Sequence, residues 1–202
     1  MKRLIVMIFL LPLLTACPDG GNEEAEDTLK AFRENGYNFS EFKKQGYKNI
    51  RFKMPKSFDI DYGNRYCYKS SSLNRRDYAL GVIFTVERFT EDDLESELME
   101  DYYLVDDDLL NNFHDAYADR RYESLTNASV SFKKDTKKNI KFKGVTQTLS
   151  GRNSDYSDDI YYAMATLKVR KEYYVFQFIS KREMMDYVYD DFERILATVR
   201  HK

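Results

Sequence analysis

Residues 160–179 read IYYAMATLKVRKEYYVFQFI, and this stretch decides the fold. Two runs rich in aromatic and aliphatic residues, 160–169 and 173–179, have the composition and length of β-strands. Only residues 170–172 connect them, whereas a parallel crossover needs about a dozen residues or more. The two strands are therefore predicted to pair antiparallel.

An amphipathic helix is predicted directly after this strand pair, because apolar residues recur there at helical spacing. Its apolar face carries Met184, Val188, Phe192, Ile195, Leu196 and Val199. Further strands are predicted at residues 50–54, 62–70, 79–89, 128–132 and 140–149. The run at 79–89 is almost continuously apolar at its start, which favours a central strand covered on both faces.

Between residues 90 and 124 the hydrophobic period becomes helical. Residues 90–93 (TEDD) resemble an N-terminal cap, and Leu94, Leu98 and Tyr102 follow at helical spacing. Residues 106–108 (DDD) can cap a second helix. The apolar stripe of that helix consists of Leu109, Leu110, Phe113, Ala116 and Tyr117. The sequence thus predicts an α+β fold, a mostly antiparallel β-sheet of about six strands with helices packed on it.

The composition excludes several classes of protein. The 202 residues include 32 Lys+Arg, 34 Asp+Glu and 15% aromatics, which is too apolar for a disordered chain. Two cysteines cannot form a disulfide scaffold, and two histidines leave little room for a histidine-rich metal site. A mean hydropathy of −0.66 excludes a multi-pass membrane protein.

The N-terminus has the features of a targeting segment. Lys2 and Arg3 precede an apolar run at residues 4–14, far shorter than the ~20 residues of a membrane-spanning helix. Residues 14–17 (LTAC) resemble the lipobox of bacterial lipoproteins, which implies cleavage before Cys17 and a lipid on its thiol. Removal of residues 1–16, which contain two basic residues and no acid, leaves 186 residues with a net charge of −4.

Three regions of the chain are expected. Residues 1–16 are the signal peptide; residues 17–46 hold the lipidated Cys17, an acidic tether and a short helical segment; residues 47–202 form the folded domain. The acidic tether at 18–28 (PDGGNEEAEDT) resembles surface-export signals of some Bacteroidota lipoproteins, or is a solvated spacer. The predicted location is the bacterial cell envelope, lipid-anchored at the outer membrane on its periplasmic or surface face. With Cys17 lipidated, Cys67 has no partner and is interpreted as a small buried hydrophobe.

Residues 52–58 (FKMPKSF) resemble the opening strand of the PsbP/DcrB-like α/β/α-sandwich proteins. The ending is similar too, with an aromatic strand at 173–179 leading into a C-terminal helix that carries Phe192 and Ile195. Phe58 stands where tryptophan is common in that family. The resemblance covers roughly residues 47–200 and implies a non-enzymatic role, since members include photosystem assembly subunits, small-GTPase binders, envelope lipoproteins and effector chaperones. It supplies no catalytic residues.

Candidate catalytic and metal-binding residues each have a structural interpretation beside the functional one. His114 beside Asp115 has the pairing of a general base with an acid, but no nucleophile motif accompanies it. Alternating oxygen ligands suggest a calcium loop, yet Asp158 and Met164 stand where glycine and glutamate are needed. Those ligands would be Asn153, Asp155, Ser157 and Asp159. We therefore predict a structural histidine and an ordinary hairpin loop, with no catalytic residue, cofactor or metal.

A cluster of basic side chains is the main candidate for an interaction patch. It lies on a predicted hairpin at residues 131–144 and consists of Lys133, Lys134, Lys137, Lys138, Lys141 and Lys143. Its partner would be an acidic protein or an anionic membrane surface, whereas net charge and compartment exclude nucleic acid. The alternative is a lysine-guarded sheet edge that resists aggregation. Three tyrosine pairs could line a groove, although adjacent strand residues face opposite ways. They are Tyr102-Tyr103, Tyr161-Tyr162 and Tyr173-Tyr174.

The predicted function is a non-catalytic, membrane-anchored envelope lipoprotein that binds an unknown protein partner or assists assembly as a chaperone. The alternatives are an envelope hydrolase with an unrecognised site and a toxin-neutralising lipoprotein. A pocket in which His114 meets an acid and a hydroxyl would favour the enzyme. A tyrosine-rich groove without such a trio would favour binding.

Overall fold

A computed structural model of the chain describes residues 42–60, 72–77, 81–93, 108–153 and 159–202. The helices are α1 (Leu109–Glu123) and α2 (Arg182–Ala197). The strands are β1 (Phe42–Tyr47), β2 (Ile50–Pro55), β3 (Asp59–Ile60), β4 (Ser72–Asp77), β5 (Val82–Thr90), β6 (Leu125–Val130), β7 (Lys134–Asp135), β8 (Gly144–Asn153), β9 (Asp159–Val169), β10 (Glu172–Lys181) and β11 (Arg200–His201). Neither helix in this part of the chain is long and apolar enough to cross a membrane.

The strands form two sheets in which every described pairing is antiparallel. The large sheet has the order β3-β4-β5-β10-β9-β8-β6, with β7 also paired to β8, and the small sheet has the order β1-β2-β11. The hairpin of β9 and β10 lies at the centre, and Arg170 takes a positive φ of 60° in its two-residue turn. The mostly antiparallel α+β prediction is confirmed, with more strands than the six expected.

The large sheet is covered on both faces. Alternate residues of β10 face opposite layers, so Tyr174 and Phe178 pack toward α2 and the small sheet while Tyr173 and Val175 pack toward α1. The same alternation runs through β9 and β5. Burial on both faces explains why these strands are almost continuously apolar in the sequence. The result is a layered sandwich with a helix on each side.

Both described helices form where the sequence predicted them. The Asp108 carboxylate accepts the backbone N–H of Asn111 and caps α1. The predicted stripe is buried at Leu110, Phe113, Ala116 and Tyr117. On α2, Phe192 and Ile195 are fully buried against the sheet.

Two N-terminal strands differ from the expectation. β1 begins at Phe42, before the predicted domain start at residue 47, and pairs along its length with β2. β4 has the polar sequence SLNRRD and pairs with β5. Neither segment alternates regularly in hydropathy, since each contributes few side chains to the core, such as Tyr47 of β1 and Leu73 of β4, and is also held by backbone pairing to its neighbour. The predicted strand at 62–70, Cys17, Cys67 and the helix beginning at Leu94 lie outside the described residues.

The lysine-rich region is organised differently from the predicted hairpin. β6 ends at Val130, β7 covers only Lys134–Asp135, and β8 begins at Gly144, so Lys141 and Lys143 do not alternate on a strand as expected. Ile140 produced that expectation. It is buried in the core, but from a turn in which its N–H donates to the carbonyl of Lys137. An apolar side chain that enters the core from a turn has the same sequence pattern as one on a strand.

Candidate binding cleft

The six lysines of the predicted patch divide into two groups. Three of them form ion pairs with the helices that flank the sheet. Lys133 pairs with Asp115 of α1 at 2.6 Å, and Lys143 lies 3.7 Å from Asp108 at the start of α1. Lys137 pairs with Glu193 of α2. These three lysines tie the segment between β6 and β8 to both helices.

The other three lysines have no ion pair with any residue that the structure describes. Lys134, Lys138 and Lys141 are exposed, and the Lys141 ammonium lies 5.9 Å from the centre of the Phe142 ring. Their charge is thus directed to solvent or to a partner. Sequence reasoning identified the cluster but could not separate the two groups, because the acidic partners are 18 to 56 residues away.

Beside Lys134 the structure forms a cleft of about 390 Å³ between the β6–β7 connection and α2. One wall is the connection and the adjoining part of β8, and the other is formed by Met185, Tyr189 and Asp190 of α2. The lining residues are Ser131, Phe132, Lys134, Thr146, Gln147, Thr148, Tyr161, Met185, Tyr189 and Asp190. The cleft therefore combines aromatic rings with one cation and one anion on opposite walls.

Phe132 is held at the cleft by its neighbour Ser131. The Ser131 N–H donates to the Thr148 carbonyl at 2.9 Å, and its hydroxyl oxygen accepts the Thr148 N–H at 2.9 Å. Gln147 Nε2 donates to the Ser131 carbonyl at 3.0 Å. With Ser131 fixed on both sides, Phe132 projects outward and is 92% exposed. Sequence reasoning placed Phe132 at the end of a strand and gave no signal of its exposure.

Two tyrosines line the inner part of the cleft. Tyr161 comes from β9, whereas its neighbour Tyr162 is buried on the α1 side, as the alternation predicted. Tyr189 comes from α2, and its pKa is raised by burial and by Glu193, Tyr161 and Asp190 nearby. Tyr173 and Tyr174 are fully buried on opposite faces and take no part in the cleft.

His114 lies on the buried face of α1 and is fully buried. Its Nδ1 is 2.8 Å from the Thr166 hydroxyl, and Gln147 approaches it from β8. Burial lowers the pKa of His114 to about 4, against a smaller opposing effect of Asp115. The Asp115 carboxylate is held by Lys133, so it does not complete an acid–histidine–hydroxyl trio. His114 is thus placed as a neutral structural side chain.

No group of three or more His, Cys, Asp or Glu residues within the described ranges is arranged to hold a metal ion. Of the four predicted calcium ligands only Asp159 has a described side chain, and it lies 3.8 Å from Arg152 Nε. The side chains of Asn153, Asp155 and Ser157 lie outside the described part.

Comparison with known proteins gives a likeness of fold. No family model matches the sequence, and no curated protein is significantly similar to it. A point mutant of Mog1 superposes with a TM-score of 0.56 at 9% identity, covering 80% of this chain and 96% of its own. Cyanobacterial PsbP (CyanoP) from Synechocystis superposes with a TM-score of 0.45 at 13% identity, covering 80% of this chain and 92% of its own. A Pseudomonas aeruginosa protein of unknown function superposes with a TM-score of 0.46 at 6% identity, covering 81% of this chain and 99% of its own. The likeness to Mog1 supports the α+β fold of this chain and concerns the fold alone.

Proposed function

We propose that this chain is a membrane-anchored lipoprotein of the bacterial envelope whose α+β domain is non-catalytic and binds another protein, as a binding or assembly module. The observation that carries the binding role is Phe132, a 92% exposed aromatic ring at the rim of a cleft. Aromatic side chains are enriched in the cores of protein–protein interfaces, where binding buries them.

The chemistry of the cleft supports binding over catalysis. Its side chains are aromatic rings, hydroxyls, an amide, a thioether, Lys134 and Asp190, with neither histidine nor cysteine among them. His114 is buried on the inner face of α1 and lacks the acid–hydroxyl trio of a nucleophilic site. A tyrosine-bearing groove without such a trio is what a binding module requires.

The anchor is proposed from residues 14–17 and tested at Cys17. Two or more acyl chains on one cysteine hold a protein stably at a membrane. In a bacterial host supplied with an alkynyl fatty acid, Cys17→Ala should abolish lipid labelling and leave the precursor unprocessed. Unchanged labelling and processing would exclude the lipoprotein assignment.

Photo-crosslinking tests the binding role in the native envelope. A benzophenone amino acid at position 132 is compared with the same group at position 122, where Tyr122 is also exposed but lies on α1. We expect one protein to be captured from position 132 and not from position 122. Equal capture from both positions, or none from position 132, would contradict a binding role for the cleft.

A further inference from the structure

The chemistry of the cleft also indicates what kind of partner segment it accepts. We infer that it takes an acidic segment of another protein, with one large apolar side chain lying between Phe132 and Tyr189 and a carboxylate reaching Lys134. This inference rests on the proposed protein-binding function and specifies its ligand.

Several polar groups of the cleft are already used within the domain. Ser131 accepts hydrogen bonds from Gln147 and Thr148 of β8, and the Thr146 hydroxyl donates to the Lys134 carbonyl at 3.2 Å. Lys134 Nζ and the Asp190 carboxylate form no ion pair with a described residue. The cleft thus offers a ligand its aromatic rings and these two charges, while Gln147 Oε1 is buried and has no hydrogen-bond partner among the described residues.

Charge selects an acidic ligand. Residues 131–143 contain six lysines and one aspartate, whereas the chain as a whole has more acidic than basic residues. Three of those lysines are neutralised by α1 and α2, which leaves Lys134 at the cleft, with Lys138 and Lys141 in the same segment. Asp190 on the opposite wall repels carboxylates, so the acids of the ligand lie on the β7 side.

The exposure of Phe132 favours a protein segment over a small molecule. The cleft volume of about 390 Å³ is near the lower end for small-molecule sites. A ligand small enough to lie wholly inside it would leave most of the 92% exposed ring in water. Only a ligand that extends beyond the rim covers Phe132 and gains from burying it.

The test uses a random-peptide library displayed on phage, selected against the full chain and counter-selected against Phe132→Ala. We expect the enriched peptides to share an aromatic or large aliphatic residue next to Asp or Glu. For a representative synthetic peptide, Phe132→Ala should weaken binding about tenfold and Lys134→Gln about threefold, with loss of salt dependence. The matched controls Tyr122→Ala and Lys171→Gln, both of exposed residues outside the cleft, should bind like the wild type.

Several results would overturn the inference. Enriched peptides without acids, or equal binding by all four variants, would contradict it directly. Binding to phosphatidylglycerol vesicles that depends on Phe132 and Lys134, without peptide enrichment, would assign the patch to a membrane surface. Dimerisation lost in Phe132→Ala would assign it to a second copy, and crosslinks from position 132 to residues 18–28 would assign it to the chain's own acidic segment.

The crosslinking experiment separates failure of this inference from failure of the proposed function. A protein captured at position 132 through a basic or neutral segment would overturn the acidic ligand while the binding role stands. If position 132 captures no protein and no peptide is enriched, both fail together.

Discussion

The two faces of the large sheet are stabilised in different ways. Toward α2 and the small sheet the core is mainly apolar, with a chain of aromatic contacts around Phe178. The ring of Phe178 lies 5.2 Å from that of Phe192, 5.4 Å from Phe84 and 5.5 Å from Phe58, measured between centroids. Toward α1 the core contains buried polar side chains, among them His114, Thr166 and Gln177, all fully buried.

The polar groups on the α1 side bond the helix to three neighbouring strands. His114 meets Thr166 of β9, and Tyr117, one turn later, accepts a hydrogen bond from Gln177 of β10 at 2.7 Å. Tyr117 in turn donates to Glu87 of β5 at 2.8 Å, and burial raises its pKa. Apolar burial is non-directional, whereas these bonds are satisfied only when α1 lies in one register. The face toward α2 thus contributes mainly stability, whereas the face toward α1 also fixes the position of that helix on the sheet.

The largest effect is expected on the apolar face. Phe178→Ala removes a fully buried ring and leaves a cavity among three others, so the free energy of unfolding should fall by about 3–5 kcal/mol. Urea denaturation at neutral pH measures the change. A loss under about 1 kcal/mol would mean that the aromatic core repacks around the gap.

Acidification should act on the polar face through His114. Its folded pKa of about 4 lies below the unfolded value of about 6.5, so the unfolded chain binds more protons between these pH values. The contribution of His114 to stability should therefore fall by about 3 kcal/mol as the pH drops from 6.5 to 4, measured as the difference between the wild type and a variant without this imidazole. His114→Gln, compared by urea denaturation across this range, should lack this fall. Parallel pH profiles of the two proteins would contradict a buried neutral histidine.

Asp191 is an exception on the apolar face. It is 1% exposed on α2, and its Oδ2 has no hydrogen-bond partner among the described residues. Burial raises its pKa to about 7, while Arg194, 3.5 Å from Oδ1, opposes this. Between about pH 4 and 7 the folded state thus keeps a proton on Asp191 that the unfolded state has lost. The contribution of Asp191 to stability therefore falls as the pH rises through this range.

Asp191→Asn should remove that cost. Arg194 is exposed, so solvent screens its attraction for the Asp191 carboxylate. The variant should be about 2 kcal/mol more stable than the wild type at pH 8 and no more stable at pH 4. Because Asp191 and His114 have opposite slopes between pH 4 and 6.5, the substitution should also steepen the His114 profile. Thermal unfolding across the pH range measures both. A variant less stable at pH 8 would mean that the carboxylate is bonded in its charged form.

Removal of one hydroxyl tests the polar network with a smaller change. Tyr117→Phe keeps the ring against Phe113 but deprives Gln177 and Glu87 of their shared partner. We expect a loss of about 1–2 kcal/mol, because buried polar groups are left unsatisfied. Amide hydrogen exchange should rise in α1 and not in α2. Equal increases in both helices would contradict a positional role for the network.

The strands and helices whose residue pattern is set by burial could be predicted from the sequence. The arrangement of side chains in the cleft could be predicted much less well. β9, β10, α1 and α2 each bury many apolar residues; helical periodicity located the helices, and apolar composition and run length located the strands. β4 is polar and is held by pairing to β5, which no local pattern encodes. The lysines were visible, but the direction of Phe132 depends on how Ser131 bonds to Thr148, 17 residues away. Such long-range hydrogen bonds cannot be predicted from the spacing of residues along the sequence.

The smallest effect on stability is expected at Phe132, although the substitution is chemically the same as at Phe178. Its ring is 92% exposed, so Phe132→Ala should change the free energy of unfolding by no more than about 0.5 kcal/mol in urea denaturation. A loss above 1 kcal/mol would mean that the ring packs on its own domain, and the cleft would lose its anchor. A ring that adds little to folding can be buried by a partner without loss of stability in its own domain, and that burial favours binding.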